Sequence, residues 1–109
     1  MNRAPRGLTL MEKIEFYSEV RPGSLHTPDH VWLGALNPYV PHGMMRVGPR
    51  MVQVHRVAWC ELVGPIPEGF DLHHECDCPA CWWPEHLEVI EHGAHSSLHA
   101  AERRARRAA

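Results

Sequence analysis

Histidine and cysteine side chains are concentrated between residues 73 and 95, where the sequence has most capacity for chemistry. This stretch holds three of the four cysteines and five of the ten histidines in the 109-residue chain. Thiolate and imidazole groups are good zinc ligands, and a closed zinc site holds loops that a small core cannot hold alone. Disulfide frameworks usually spread their cysteines, so this dense cluster indicates a metal site instead.

Three candidate zinc ligands lie within eleven residues of one another: Cys76, Cys81 and His86. Cys76 and Cys81 are separated by a Pro-Ala turn, and His86 follows after a second proline. Cys78 leaves one choice open, because Cys78 and Cys81 form a C-x2-C pair, which is the commoner zinc spacing. The spacing alone does not decide between Cys76 and Cys78.

The spacing from His74 onward resembles that of a known family. Cysteines follow His74 at two and seven residues, and histidines follow it at twelve and twenty-one residues. This pattern is similar to the phage-type HNH endonucleases, in the zinc-containing branch of the His-Me finger (ββα-metal) nucleases. Upstream segments that also resemble the family extend the likeness to residues 29–99; they are 32–36, 55–59 and 64–69.

The resemblance implies a role for each matched residue. It makes His74 the general base that activates water, and it assigns one catalytic divalent cation to His73 and His95. It assigns a structural zinc ion to the three candidate ligands named above. The implied activity is a metal-dependent DNA endonuclease, by nicking or double-strand cleavage, that leaves 5'-phosphate and 3'-hydroxyl ends.

The fourth zinc ligand of the family is usually a cysteine just before the first strand, and this sequence has none there. Aligning the Gly-Ala-Leu of that strand puts Asp29 at the position, with His30 beside it. Imidazole suits a thiolate-rich zinc site better than carboxylate does, so we expect His30 to be the ligand.

Three other positions depart from the family pattern. His73 stands where Asp is common and His95 where Asn is common. Since magnesium prefers oxygen ligands, we expect Mn²⁺, Ni²⁺ or Zn²⁺ to serve at least as well as Mg²⁺. Trp83 replaces an Asn that orients the base, and indole accepts no hydrogen bond. The alternative function is therefore a catalytically weakened, zinc-stapled module of the same fold that binds DNA or protein.

Basic residues are the candidates for contact with DNA. The formal net charge is −2, yet four arginines lie at the C-terminal end, among them Arg103 and Arg104. Neutralising phosphates with such residues releases counterions, and Arg56 is a further candidate. An ion pair between Arg56 and Glu61 or another nearby acid is the competing interpretation. The resemblance implies DNA as the partner and leaves open phage packaging machinery or a free-standing homing role; the oligomeric state is not readable.

The fold class that we predict is α+β: a small, zinc-stapled domain with an N-terminal helix and short antiparallel strands. Thr9 and Glu12 form a capping-box pattern ahead of the first helix. Predicted helices span 10–19, 55–63 and 91–106, and predicted strands span 31–36, 44–47, 51–54, 70–73 and 87–90. We expect a flexible lead-in over 1–8, one domain over 9–102 and a basic tail over 103–109. With no signal peptide or apolar span visible, we expect a phage-encoded protein in the cytoplasm of a bacterial host.

Overall fold

The computed structural model describes residues 3–93. Its first helix, α1, spans Leu10–Phe16 and begins with the predicted capping box. The Thr9 hydroxyl accepts the Glu12 backbone N–H at 3.1 Å, and the Glu12 carboxylate accepts the Thr9 N–H at 3.0 Å. These bonds satisfy two amides that a helix start leaves without a partner.

The expectation that α1 continues to Glu19 was wrong. Residues from Ser18 onward form a strand, because their backbone pairs with a later segment of the chain. The Ser18 hydroxyl donates to the carbonyl of Ile14 at 2.6 Å, which also helps to end the helix. Tertiary pairing therefore overrides the helical pattern here.

Within residues 3–93, six strands form three separate antiparallel pairs. Each pair joins strands that are consecutive in the chain: β1 (Ser18–Arg21) with β2 (Asp29–Trp32), β3 (Met44–Val47) with β4 (Arg50–Gln53), and β5 (Phe70–His74) with β6 (Leu87–Glu91). Helix α2 (Val54–Leu62) follows β4 directly, and a 3-10 helix (Pro84–His86) precedes β6. We predicted a strand over 31–36, but β2 begins two residues earlier and ends at Trp32, where its pairing with β1 stops.

In the part of the chain that the structure describes, a buried cluster joins α1 and α2 to the metal-binding region of the sequence. Its members come from α1, β2, β3, α2 and the loop after β5: Ile14, Trp32, Met45, Val54, Ala58 and Trp82. Trp82 is fully buried, and its indole N–H donates to the hydroxyl of Ser18 at 2.8 Å. The loop that carries the cysteines is thus anchored in the core by a large side chain.

The predicted α+β class, with an N-terminal helix and short antiparallel strands, is confirmed. The helix that we predicted from residue 91 lies outside the described residues for nearly all of its length, and Glu91 itself ends β6. Between residues 3 and 93, no helix has the length and apolar character that crossing a membrane requires.

Candidate metal centre and histidine cluster

Four buried side chains, which we call the metal centre, converge between β2 and the loop after β5: Asp29, Cys76, Cys81 and His86. One ligand atom from each lies within 4.8 Å of all the others. Nδ1 of His86 is 3.0 Å from Oδ1 of Asp29 and 3.6 Å from Sγ of Cys81. Ligand atoms around a tetrahedral zinc ion stand about 3.3–3.8 Å apart, given its bond lengths. The four residues therefore fit a small, closed cation site.

Backbone hydrogen bonds between β2 and the cysteine-bearing loop bring these ligands together. The N–H of Trp32 donates to the carbonyl of Ala80 at 2.9 Å, and the N–H of Trp82 donates to the carbonyl of His30 at 3.0 Å. Val31 and Cys81 form an isolated bridge between these two bonds. This short ladder fixes Asp29 at the start of β2 opposite the loop.

The loop between β1 and β2 wraps the metal centre from outside. The Thr27 hydroxyl lies 2.6 Å from Nε2 of His86, and the Ser24 hydroxyl donates to the carbonyl of Cys76 at 2.9 Å. Gly23 lies so close that a Cβ there would be 2.1 Å from Oδ2 of Asp29. Because Thr27 contacts Nε2 of His86, the other ring nitrogen, Nδ1, points toward Asp29 and Cys81. Metal-binding histidines commonly make such a hydrogen bond through the nitrogen that does not bind the metal.

The structure corrects the expectation that His30 lies at the metal centre. The ring of His30 stacks on the indole of Trp83, with centroids 4.0 Å apart and planes 11° apart. Neighbouring residues of a strand point to opposite faces, so Asp29 faces the cysteines when His30 faces away. Of the two cysteines that the spacing left open, Cys76 is in the group; Cys78 is only half-buried, and its carbonyl accepts the backbone N–H of Cys81 at 3.0 Å.

Burial sets the protonation of the two thiols. It raises the pKa of Cys76 and of Cys81 above the usual value for a thiol. A bound cation reverses that preference, because a coordinating thiol is deprotonated. Two sulfurs, one imidazole nitrogen and one carboxylate oxygen are a donor set suited to zinc.

Three imidazoles from distant parts of the sequence meet beside the metal centre. His74 ends β5, His55 lies in the first turn of α2, and His42 ends the loop between β2 and β3. Their ring centroids are 4.8 Å apart for His55 and His74, 4.9 Å for His42 and His55, and 5.3 Å for His42 and His74. Sequence reasoning missed His42, because no local spacing links it to His74.

A backbone carbonyl orients His74. Nε2 of His74 lies 2.9 Å from the carbonyl oxygen of Cys81. A carbonyl only accepts, so Nε2 carries the hydrogen and the neutral ring has its lone pair on Nδ1. The tautomer of His74 is therefore set by the loop that also supplies the metal centre.

His55 is the buried member of the three imidazoles. It is 4% exposed, and its Nδ1 has no hydrogen-bond partner. Burial, followed by the proximity of His74 and His42, lowers the pKa of His55 to about 2. The ring is therefore neutral near pH 7.

Of the remaining predicted site residues, the structure describes His73 and Arg56. His73 is half-buried on β5, where it pairs in register with Glu88. Arg56 lies 3.9 Å from a carboxylate oxygen of Asp71, which is a long ion pair with a different acid from Glu61. His95, Arg103 and Arg104 lie outside the described residues.

Comparison with known proteins finds a match for the part of the chain that holds the two cysteines of the metal centre, His86, His55 and His74. Residues 52–96 match the family model described as HNH endonuclease. The chain is also similar to Protein 7.7 of Escherichia phage T7, with 36% identity over 58 residues. That alignment covers 53% of this chain and 44% of the phage protein, so the chain spans less than half of that relative's length. No solved structure matches the chain.

Proposed function

We propose that this protein hydrolyses DNA, because residues 52–96 match the HNH endonuclease family model and the phage relative supports the phage-type resemblance seen in the sequence. It is a metal-dependent endonuclease with His74 as its general base. The observation that carries the proposal is the bond from Nε2 of His74 to the carbonyl of Cys81. It supports the base role because the other ring nitrogen, Nδ1, then has the lone pair that takes a proton.

The reaction follows from that tautomer. Nδ1 of His74 takes a proton from a water molecule while the water oxygen bonds to phosphorus. The bond between phosphorus and the 3' oxygen breaks, and the leaving oxygen takes a proton from solvent. The products are a 5'-phosphate and a 3'-hydroxyl end, on one strand or on both.

Two metal ions with different tasks belong to this proposal. A structural zinc ion is held by Asp29, Cys76, Cys81 and His86, whose convergence supports the assignment. His73 and His95 hold a catalytic divalent cation, which supplies charge stabilisation at the phosphoryl oxygens. Because imidazole favours later transition metals, Mn²⁺, Ni²⁺ or Zn²⁺ serves at least as well as Mg²⁺.

The second candidate function is a zinc-stapled DNA- or protein-binding module with weakened catalysis. The observation that favours it is Trp83, which stacks on His30 instead of offering the hydrogen bonds of an Asn. The carbonyl of Cys81 nevertheless gives His74 a hydrogen-bond partner, so we place the nuclease first.

The setting of the activity is also a proposal. The relative from a phage supports a phage-encoded protein that acts on DNA in the cytoplasm of a bacterial host. Arg56, Arg103 and Arg104 contact the phosphate backbone, and the packaging machinery is one assembly beside which such an enzyme would work.

Cleavage of supercoiled plasmid tests the nuclease. Purified wild-type protein and His74→Ala are incubated with plasmid and with Mg²⁺, Mn²⁺, Ni²⁺ or Zn²⁺ in turn, and bound zinc is measured on the same preparations before the metal is added. We expect wild-type protein to cut in at least one metal, and His74→Ala to lose about a hundredfold or more in rate with unchanged zinc content. His26→Ala, at an exposed histidine, is the matched control and keeps full activity. A wild-type protein that binds DNA without cutting it in any metal supports the binding module instead.

A further inference from the structure

The loop between β2 and β3, residues 33–43, is built on a rigid base. The indole N–H of Trp32 donates to the carbonyl of Ala35 at 3.0 Å. A Cβ on Gly34 or on Gly43 would lie 2.5 or 2.8 Å from atoms of the Trp32 ring, so both ends of the loop press against this buried side chain. We call residues 33–43 the β2–β3 loop; its ends are fixed on the core.

The tip of the β2–β3 loop is ordered by its own hydrogen bonds. The side-chain oxygen of Asn37 accepts the backbone N–H of Tyr39 at 2.9 Å and of Val40 at 3.2 Å, while the N–H of Asn37 donates to the carbonyl of His42 at 2.9 Å. Yet Tyr39 is 92% exposed and Val40 is 49% exposed. An ordered turn that presents an aromatic ring to solvent is typical of a contact surface rather than of packing.

The β2–β3 loop also reaches the catalytic histidine. His42, three residues after Tyr39, brings its ring to 5.3 Å from that of His74. The C-terminal end of the β2–β3 loop therefore lies beside the position where a phosphate would meet His74.

Charge identifies the kind of molecule that fits this surface. The 31 residues between Asp29 and Glu61 contain no acidic residue, although the chain has 13 Asp and Glu in all. The same stretch has three arginines, of which Arg46 and Arg50 are exposed on the β3–β4 hairpin that continues the loop. An anionic partner that also carries flat apolar rings matches both features, and nucleic acid is such a partner.

We propose that the β2–β3 loop is a DNA-contacting element beside His74, with Tyr39 stacking on an unpaired base of the bound DNA. Arg46, which lines the same surface cavity as Gly34 and Ala35 of the loop, neutralises a neighbouring phosphate of the bound DNA. This inference rests on the proposed nuclease function and adds the surface that holds the substrate. Stacking on an aromatic ring tolerates any base, so the contact gives affinity with little sequence preference.

Binding of a fluorescein-labelled DNA duplex that contains a single-stranded gap, followed by anisotropy, tests the proposal. All variants are made in the His74→Ala background, so that binding is measured without cleavage. We expect Tyr39→Ala to weaken binding about tenfold and Tyr39→Phe to bind like the parent, because the ring is retained. Phe16→Ala, which removes an exposed aromatic ring on α1, is the matched control and leaves binding unchanged. Since Tyr39 is almost fully exposed, its removal leaves the thermal midpoint unchanged.

The salt dependence of the dissociation constant distinguishes base stacking by Tyr39 from phosphate neutralisation by arginine. Tyr39→Ala keeps the parent slope of log Kd against log salt, whereas Arg46→Ala reduces it by about one. Equal affinity of Tyr39→Ala and its parent overturns the inference, and plasmid cleavage by wild-type protein would then leave the nuclease proposal standing. Absence of any DNA binding by the parent also overturns the inference, and the nuclease proposal fails with it only when wild-type protein cuts plasmid in none of the metals.

Discussion

The imidazole of His74 donates its Nε2 hydrogen to the carbonyl oxygen of Cys81 over 2.9 Å. The side chain of the same cysteine lies 3.6 Å from Nδ1 of His86, within the metal centre. Main chain and side chain of Cys81 thus connect the proposed base to the proposed zinc ligands. Any change that releases the thiol from the metal centre also moves the carbonyl that sets the tautomer of His74.

Removal of the structural metal is therefore expected to abolish cleavage as well as to lower stability. A ligand at a thousand times its Kd stabilises the folded state by about 4 kcal/mol, and chelation forfeits that contribution. The measurement is the thermal midpoint and plasmid cleavage of protein treated with a zinc chelator, then supplied with Mg²⁺ or Mn²⁺. Re-addition of zinc restores both quantities. Full cleavage by zinc-free protein would show that Cys81 holds His74 without help from a metal.

Asp29, and not His30, is expected to control zinc content. Asp29 is 5% exposed with a carboxylate oxygen 3.0 Å from His86, whereas the ring of His30 lies on Trp83. Asp29→Ala should lower bound zinc well below about one ion per chain, and His30→Ala should retain it. Elemental analysis of the two purified variants provides the comparison, with circular dichroism to check folding. Loss of zinc from His30→Ala, with zinc kept in Asp29→Ala, would show that His30 and not Asp29 is the fourth zinc ligand.

The sequence could predict the chain-local part of the metal centre but not its distant member. Cys76, Cys81 and His86 lie within one loop and the short helix after it, so their spacing nearly determines their separation. The choice between Asp29 and His30 depends on which face of β2 meets that loop, and Trp83 settles it by covering His30. In so short a strand, the alternation of side chains does not show which face of β2 meets the cysteine-bearing loop.

The same limit applies to the histidine cluster and to α1. His42 reaches His74 only because the β2–β3 loop closes on Trp32, a long-range feature that no local pattern records. Helix α1 began where its capping box predicted, yet it ended early because Ser18 pairs with Trp32 across β1 and β2. Local sequence patterns predicted the start of α1 and three of the four residues of the metal centre. Tertiary contacts determined where α1 ends and which residues lie beside His74.

Cys76 and Cys78 are expected to differ in the same way as Asp29 and His30. Cys76 is 3% exposed and belongs to the metal centre, while Cys78 is half-buried outside it. Cys76→Ser should lose zinc and lower the thermal midpoint. Cys78→Ser should change neither, since Cys78 accepts hydrogen bonds from Cys81 and Cys76 through its main-chain carbonyl, which the substitution keeps. Titration of released zinc with a colorimetric chelator measures the difference. Zinc loss confined to Cys78→Ser would show that Cys78 and Cys81, the C-x2-C pair, are the zinc ligands.

Acidification is expected to destabilise the protein through His55. The folded-state pKa of His55 is about 2, against 6.5 for an ordinary histidine, because burial and the neighbouring imidazoles disfavour its cation. Between these values the unfolded chain binds a proton that the folded chain does not, so stability falls as pH drops below 6.5. From about pH 7.5 to about pH 5.5 this single group lowers the free energy of unfolding by about 1.4 kcal/mol.

Urea unfolding at those two pH values checks the effect of His55. Wild-type protein is compared with His55→Phe, which fills the space with an uncharged ring, and with His55→Asn, which is smaller should Phe not fit. Both variants should lose about 1.4 kcal/mol less than wild type on acidification, whereas His26→Gln, at an exposed histidine, should fall as wild type does. Zinc release at the lower pH affects every protein in the series and cancels in the difference. An identical pH dependence in wild type and both His55 variants would mean that His55 is protonated in the folded protein after all.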